Sequence, residues 1–272
     1  MSGAIALAGR AALTTGAGLV KCAVPKNVLQ TVASLTPEIM TAPLPENQSG
    51  CISLDAYQEI LRLSELATVV ALGPGLGRSI GLTALVAKLY RNIPRPMIVD
   101  ADALNALAER NFDATWKTVF PRILTPHPGE FARLLGDTIP KEEPATQTIR
   151  IELVRNFAAR TGTIMLLKGH ETIISDGKSF AINGTGNPGM ATGGSGDVLT
   201  GVISGLIAQH FSPWNAAVHG AYLHGAAGDV AAKKYGEASL LASGIITGIS
   251  EVLIYLNRSL GRSKSPVCEW TE

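Results

Sequence analysis

The sequence predicts an α/β protein in which a mostly parallel central sheet is covered by helices on both faces, a three-layer α/β/α arrangement. Three observations point to it. Short apolar runs recur along the chain without polar alternation, helical stretches separate them, and a Gly-rich loop passes directly into a long apolar helix. An unalternated apolar run fits a strand buried on both faces, which is the condition of a parallel strand between two helix layers.

In chain order, the opening SGAIALAGRAAL is small and apolar, but it lacks a basic leader and Arg10 interrupts it, so it reads as a packed helix rather than a signal peptide. The strand candidates follow as Gly18 to Val24, Ala67 to Leu72, Met97 to Asp100, Arg122 to Thr125, Thr163 to Lys168 and Thr172 to Ser175. The pattern changes after Ile182. The loop GNPGMATGGSGD runs into VLTGVISGLIAQ, where Val198, Leu199, Val202, Ile203, Leu206 and Ile207 share one helical face, so a helix begins at or near Asp197. A second helix, roughly Trp214 to Lys233, is rich in Ala and Gly, as suits helices packed closely in a core. The whole reads as one domain over 1–257, followed by a polar tail, 258–272, that frays.

Composition narrows the function. The 272 residues suit one large α/β domain, and 23 basic against 22 acidic side chains leave no cationic excess to track a nucleic-acid backbone. No uninterrupted apolar segment of about 20 residues is present to cross a membrane. Cys22, Cys51 and Cys268 lie far apart with no CxxC pairing, which indicates neither a disulfide framework nor a zinc site and fits a reducing, cytoplasmic setting. A soluble protein acting on small molecules is the expectation.

Asp197 closes the run Gly193, Gly194, Ser195, Gly196 at a helix start, a place whose outward N–H groups usually hold anions. The acid is either an N-cap or a base held beside transferring phosphates. Earlier, ALGPGLGRS carries Gly73, Gly75 and Gly77 at GxGxG spacing rather than GxGxxG, so it reads less as a dinucleotide fingerprint than as a tight strand exit approached by a ligand. In TPHPGE, prolines on both sides of His127 forbid a helix and fix an extended loop at the carboxyl end of a strand, the edge where open α/β sheets bind ligands.

In LLKGHET, Lys168 ends an apolar run, and its stem either snorkels to solvent or, with Gly169 and Thr172, brings the ammonium to nucleotide phosphates. His170 has no partner at metal-ligand spacing. His219 and His224, five apart, do not share a helical face and read as packing or local hydrogen bonding. Asp100 and Asp102 in VDADALNAL could serve magnesium, or Asp102 could cap a helix.

Taken together, ALGPGLG, VDADALNAL, ILTPHPGEFARLLG, LLKGHETII and GNPGMATGGSGDVLTGVISGLIAQ resemble, in order, the motifs of the NAD(P)H-hydrate dehydratase family, from about Ser2 to about Gly248. GSGD alone would indicate only the broader ribokinase-like superfamily. The resemblance implies a ribokinase-like fold and a repair enzyme that returns the S epimer of NADHX or NADPHX to NADH or NADPH. A nucleotide phosphorylates the ring hydroxyl and phosphate then leaves. LLKGHETII looks like the group that uses ADP and releases AMP.

By the same resemblance, Ala4, Gly77, His127 and Asp197 match positions that contact the hydrated cofactor, while Lys168, Gly169, His170, Glu171, Thr172 and Gly196 match positions that contact the adenine nucleotide. Asp197 would accept the hydroxyl proton, and the amides from Gly193 to Gly196 would stabilise the transferring phosphoryl group. Magnesium would screen the phosphates, with no protein ligand assigned to it. The resemblance further implies a homotetramer and a separate epimerase for the R form.

Family members usually carry a strand and a Gly-containing turn ahead of SGAIALAGRAAL, so the sheet is expected to lack its first strand and the native protein to be longer at its amino end. The rival readings are a ribokinase-like kinase of a vitamin precursor such as hydroxyethylthiazole, against which TPHPGE speaks, and a nucleotide-binding protein without activity, against which Lys168, His127 and Asp197 speak.

Overall fold

The computed structural model of the chain describes residues 1–136 and 146–259. Among these, six strands form one sheet in the order β3 (Val70–Leu72), β4 (Met97–Val99), β5 (Arg122–Leu124), β6 (Ile164–Leu167), β7 (Ile173–Ser175) and β8 (Phe180–Ile182). The pairings from β3 to β6 are parallel, with Val70 opposite Met97, Met97 opposite Arg122 and Ile123 opposite Ile164. The last two are antiparallel. Chain length explains the switch: the connections after β6 and β7 are too short to hold a crossover helix, so each strand must turn back on its predecessor.

The sheet separates two cores, and its strand residues alternate between them. Met97, Val99, Leu124, Met165 and Leu167 face the core that includes Leu82, Leu85, Leu89, Leu104, Phe131 and Phe157. That face is covered by α4 (Ile80–Asn92), α5 (Ala101–Ala108), α6 (Pro128–Leu135) and α7 (Gln147–Thr161). Ile98, Ile123, Leu166 and Ile174 face the opposite core. There α8 (Ser195–Ala208), α9 (Pro213–Tyr235) and α10 (Ala242–Ser259) pack together with α1 (Ser2–Thr15). The expected three layers are present, and the second Gly-rich helix runs one residue further at its start and two at its end than Trp214 to Lys233.

The run Gly18 to Val24 does form a strand, β1 (Lys21–Pro25), but it lies outside the six-stranded sheet. It pairs in parallel with β2 (Met40–Leu44) alone, through α2 (Leu29–Leu35), and closes a small core of Cys22, Val24, Val32 and Ile39. Neither β2 nor β8 is signalled by the sequence pattern, because MTAPL contains a proline and FAI is largely exposed.

Two local devices hold the layers in place. Gly201, in α8, lies against the carbonyl oxygen of Ala8, so any side chain there would drive α1 and α8 apart. In β5 the buried Arg122 donates to the carbonyls of Tyr90, Ile93 and Arg95 at 2.7 to 2.9 Å, satisfying groups at the end of α4 that no helical amide reaches. Burial pushes its guanidinium down to about 10.

Cys22 and Cys51 are free thiols, and burial raises Cys22 to about 11; Cys268 lies outside the described residues, as does the expected tail beyond Ser259. No helix among the described residues is long and apolar enough to cross a membrane.

Candidate active site

Because β4, β5 and β6 run parallel and in register, the residues that follow them emerge along one edge of the sheet. Asp100 follows β4, His127 lies three residues beyond β5, and Lys168 follows β6. Asp100 is 1% exposed, and its two oxygens are both engaged: Oδ1 accepts from Lys168 Nζ at 2.7 Å and Oδ2 from Thr200 Oγ1, one turn into α8, at 2.9 Å. The next residue, Ala101, takes a left-handed φ of 51°, a strained conformation for a residue with a Cβ, at the turn from strand to helix.

Lys168 also stands 3.9 Å from Glu130 Oε2, and Glu130 is buried. Glu130 in turn accepts the amide of His127 at 2.9 Å, while His127 Nδ1 accepts the amides of Gly129 at 3.0 Å and Glu130 at 3.3 Å. This is a reciprocal capping box in which histidine replaces the usual hydroxyl residue, with Pro128 at the first helical position. Since Nδ1 accepts, a neutral His127 carries its proton on Nε2, which lies 3.4 Å from Glu130 Oε1.

The Gly-rich loop completes the cluster. Gly194 adopts a left-handed φ of 91° with Leu7 Cδ1 in the space a Cβ would need, and α8 therefore starts at Ser195, two residues before the expected Asp197. Asp197 lies in the first turn and is no N-cap. Gly196 lies against the ion pair, because a Cβ there would stand 3.1 Å from Lys168 Nζ and 3.7 Å from Asp100 Oδ2. Burial first, and then the charge of Asp100, pushes the Asp197 carboxyl up to about 6, with Lys168 acting in the opposite direction. From α9, His224 Nε2 comes within 3.4 Å of Ser195 Oγ, and burial lowers this imidazole to about 4. The amides of Gly196 and Asp197 have no acceptor among the described residues, as expected of a helix start that can receive an anion.

On the other side, Gly77 donates its amide to Asp102 Oδ2 at 2.8 Å, and Ala4 packs close beneath Gly75 of the same loop. Asp102 thus ties the β3 exit loop to α5 instead of capping its own helix, and Asp100, at the N-cap position, makes no side-chain cap either. The segment after Lys168 leads away from the cluster. Thr172 Oγ1 closes a turn onto Gly169 O at 3.0 Å, Glu171 accepts from Gln147 at 2.6 Å, and the His170 carbonyl faces Arg150. His219 packs edge-on against Phe211.

The structure therefore joins Asp197, Gly196, Lys168 and His127, sets Ala4 and Gly77 at the neighbouring loop, and leaves Gly169 to Thr172 at the rim. Sequence reasoning passed over Glu130 and Thr200, and it met Asp100 as a candidate to serve magnesium. Glu130 had a signal in the S/T-x-x-E logic of a capping box, masked by the histidine. Thr200 had none.

The sequence model described as NAD(P)H-hydrate dehydratase matches residues 1–250. The chain belongs to the NAD(P)H-hydrate dehydratase family. The fold that this dehydratase family member displays is ribokinase-like. It is 48% identical over 256 residues to the bifunctional NAD(P)H-hydrate repair enzyme Nnr of Moorella thermoacetica, a match covering 93% of this chain and 47% of that protein. The chain thus spans about half the length of the first curated relatives it matches.

It is 38% identical over 252 residues to the ADP-dependent (S)-NAD(P)H-hydrate dehydratase of Neisseria meningitidis serogroup B, covering 90% of this chain and 78% of that one. Among solved structures, the ADP/ATP-dependent NAD(P)H-hydrate dehydratase of Bacillus subtilis, co-crystallised with ATP and Mg2+ and soaked with CoA, superposes with a TM-score of 0.76 at 30% identity. That match covers 94% of this chain and 87% of the other.

Proposed function

We propose that the chain dehydrates (6S)-NADHX and (6S)-NADPHX to NADH and NADPH at the expense of ADP, releasing AMP and phosphate. The observation that carries this is the placement of Asp197, with its raised pKa, in the first turn of a helix whose unpaired amides adjoin the Lys168–Asp100 pair. Hydroxide is a poor leaving group from the hydrated ring, and a phosphate ester supplies a good one. The ring hydroxyl attacks the β-phosphorus of ADP, the bond to the α-phosphate oxygen breaks, and AMP departs. Asp197 takes the hydroxyl proton; a carboxylate matched to a pH near neutrality suits that task. The amides of Gly193, Gly194 and Gly196 receive the charge that develops on the phosphoryl oxygens, while that of Ser195 is donated to the Thr192 carbonyl. The lone pair of the ring nitrogen then expels phosphate from C6, and loss of a proton from the adjacent C5 to solvent or phosphate turns the C5–H electron pair into the C5–C6 double bond.

Lys168, held by Asp100 and facing Gly196, supplies a positive charge at the same oxygens, and the turn from Gly169 to Thr172 bounds the nucleotide on that side. His127, Gly77 and Ala4 hold the hydrated dinucleotide. Among the described residues no group of three or more His, Cys, Asp or Glu side chains could hold a metal ion, and both Asp100 oxygens are taken. Magnesium would take the nucleotide phosphates and water as its ligands and would there neutralise charge on the transferring group. An epimerase would supply the S form from the R form.

The test is the near-ultraviolet absorbance of reduced nicotinamide on mixing the protein with S-NADPHX, magnesium and either ADP or ATP, beside the Asp197→Asn variant. A rise with ADP that the variant abolishes is expected. No rise with either nucleotide from folded protein would sink the reading.

A further inference from the structure

Beyond the cluster around Asp197, the same end of the sheet opens into a cleft of about 270 Å³ lined by Arg78, Asn105, Ala108, Glu109 and Arg133. Its position follows from the elements already placed. Arg78 is the neighbour of Gly77 on the β3 exit loop, Asn105 lies one turn beyond Asp102 on α5, and Arg133 lies six residues beyond His127 along α6. At 1.5 Å per residue those steps amount to about 5 and 9 Å along the two helices, away from the ion pair.

The polar groups of the cleft are arranged for an anion. Arg133 donates to the Oδ1 of buried Asn105 at 2.9 Å, and no carboxylate pairs with it among the described residues. Arg78 has a loose partner, its Nε standing 3.8 Å from Asp102 Oδ1. The acid on the cleft wall, Glu109, has an oxygen bound to Thr83 of α4 at 2.7 Å. Against the two guanidiniums stand Glu109 and, loosely, Asp102, and of the two Arg133 is the one without a carboxylate partner among the described residues. Exposed guanidiniums without full partners, one on the β3 exit loop and one on α6, are suited to bidentate recognition of phosphate oxygens.

We infer that the cleft between Arg78 and Arg133 is a phosphate subsite for the dinucleotide substrate, which rests on the dehydratase reading above. In the hydrated cofactor a ribose separates the ring from the first phosphate. A ring held at Asp197, with its ribose passing Gly77 and His127, therefore directs its phosphates into this cleft. The phosphate could be the pyrophosphate common to NADHX and NADPHX or the 2′-phosphate that only NADPHX carries.

Binding of NADPH and of NADH, followed by the fluorescence of the reduced nicotinamide without any nucleotide, separates these sources and does not depend on turnover. Arg78→Gln and Arg133→Gln are each expected to weaken NADPH binding by about tenfold or more, the loss of a hydrogen bond to a charged group. Arg133→Lys should recover part of it, as a merely structural role would not. A loss confined to NADPH assigns the 2′-phosphate, and an equal loss for NADH assigns the pyrophosphate. Unchanged affinity of both folded Gln variants for both dinucleotides would overturn the subsite and leave the activity untouched; wild-type protein that binds NADPH but shows no ADP-driven turnover would instead fail the activity alone.

Discussion

The ammonium of Lys168 and the carboxylate of Asp100, 68 residues apart in sequence, stand 2.7 Å apart behind the Gly-rich loop, and the carboxylate is almost fully buried. Their separation from water makes the pair matter more intact than broken. Removing the ammonium by Lys168→Met leaves a buried charge with only the Thr200 hydroxyl, at an expected cost of about 3–5 kcal/mol. Adding Asp100→Asn should return much of that stability without returning activity. Urea denaturation of the four proteins in this cycle checks it; effects that simply add would show that the pair is not coupled.

Asp197 should produce an acidic limb in the pH profile. With its carboxyl raised to about 6, kcat/KM is expected to fall about tenfold per pH unit below that value and to level off above it. Asp197→Asn should lose about a hundredfold or more in kcat and lose the limb as well. Stability moves the other way. The folded state favours the protonated acid, so ionisation opposes folding from the unfolded value of 3.8 upward and reaches its full cost above about 6. At pH 8 the Asn variant should therefore be more stable, by on the order of 1 kcal/mol after solvent screening, and the gain should vanish near pH 4. A variant less stable than wild type at pH 8 would contradict this.

For His224 the folded state favours the neutral ring, lowered to about 4 from 6.5. Its contribution is intact above pH 6.5 and is lost as the pH falls toward 4. Melting temperatures should accordingly drop more steeply between pH 6.5 and 4.5 in wild type than in His224→Gln, whose amide can still meet Ser195. Parallel curves would exclude the ring as a source of acid sensitivity.

Tyr90 and Arg122 offer a test of the α4 anchor. The Tyr90 hydroxyl is buried without a partner among the described residues, so Tyr90→Phe is expected to be neutral or to stabilise by about 1 kcal/mol. Arg122→Met should cost about 3 kcal/mol or more, because the carbonyls of Tyr90, Ile93 and Arg95 would be left buried and unpaired. Chemical denaturation distinguishes the two, and a destabilised Tyr90→Phe would show that the hydroxyl has a role in the fold.

Much of the architecture was legible because it is written in local patterns. Met97 to Val99 and Arg122 to Leu124 are short, unalternated runs that only a sheet buried on both faces accommodates, and the 3.6-residue repeat from Val198 to Ile207 places α8 to within two residues. What escaped were β2 and β8, strands too short, too exposed or too interrupted by proline to stand out. Membership of β1 in a separate sheet escaped as well, since pairing partners are not local information.

The site divides in the same way. The sequence by itself determined which groups are available: a Gly-rich loop ending in Asp197, a histidine fixed between prolines, and a lysine at a strand end. Only the tertiary structure decided that Asp100 pairs with Lys168, that Asp102 fastens Gly77 rather than a helix end, that Glu130 and Thr200 belong to the cluster, and that Arg133 has no acidic partner among the described residues. The physical reason is that a charge's role depends on what is buried beside it, and burial here is set by parallel strands bringing together residues from distant parts of the chain.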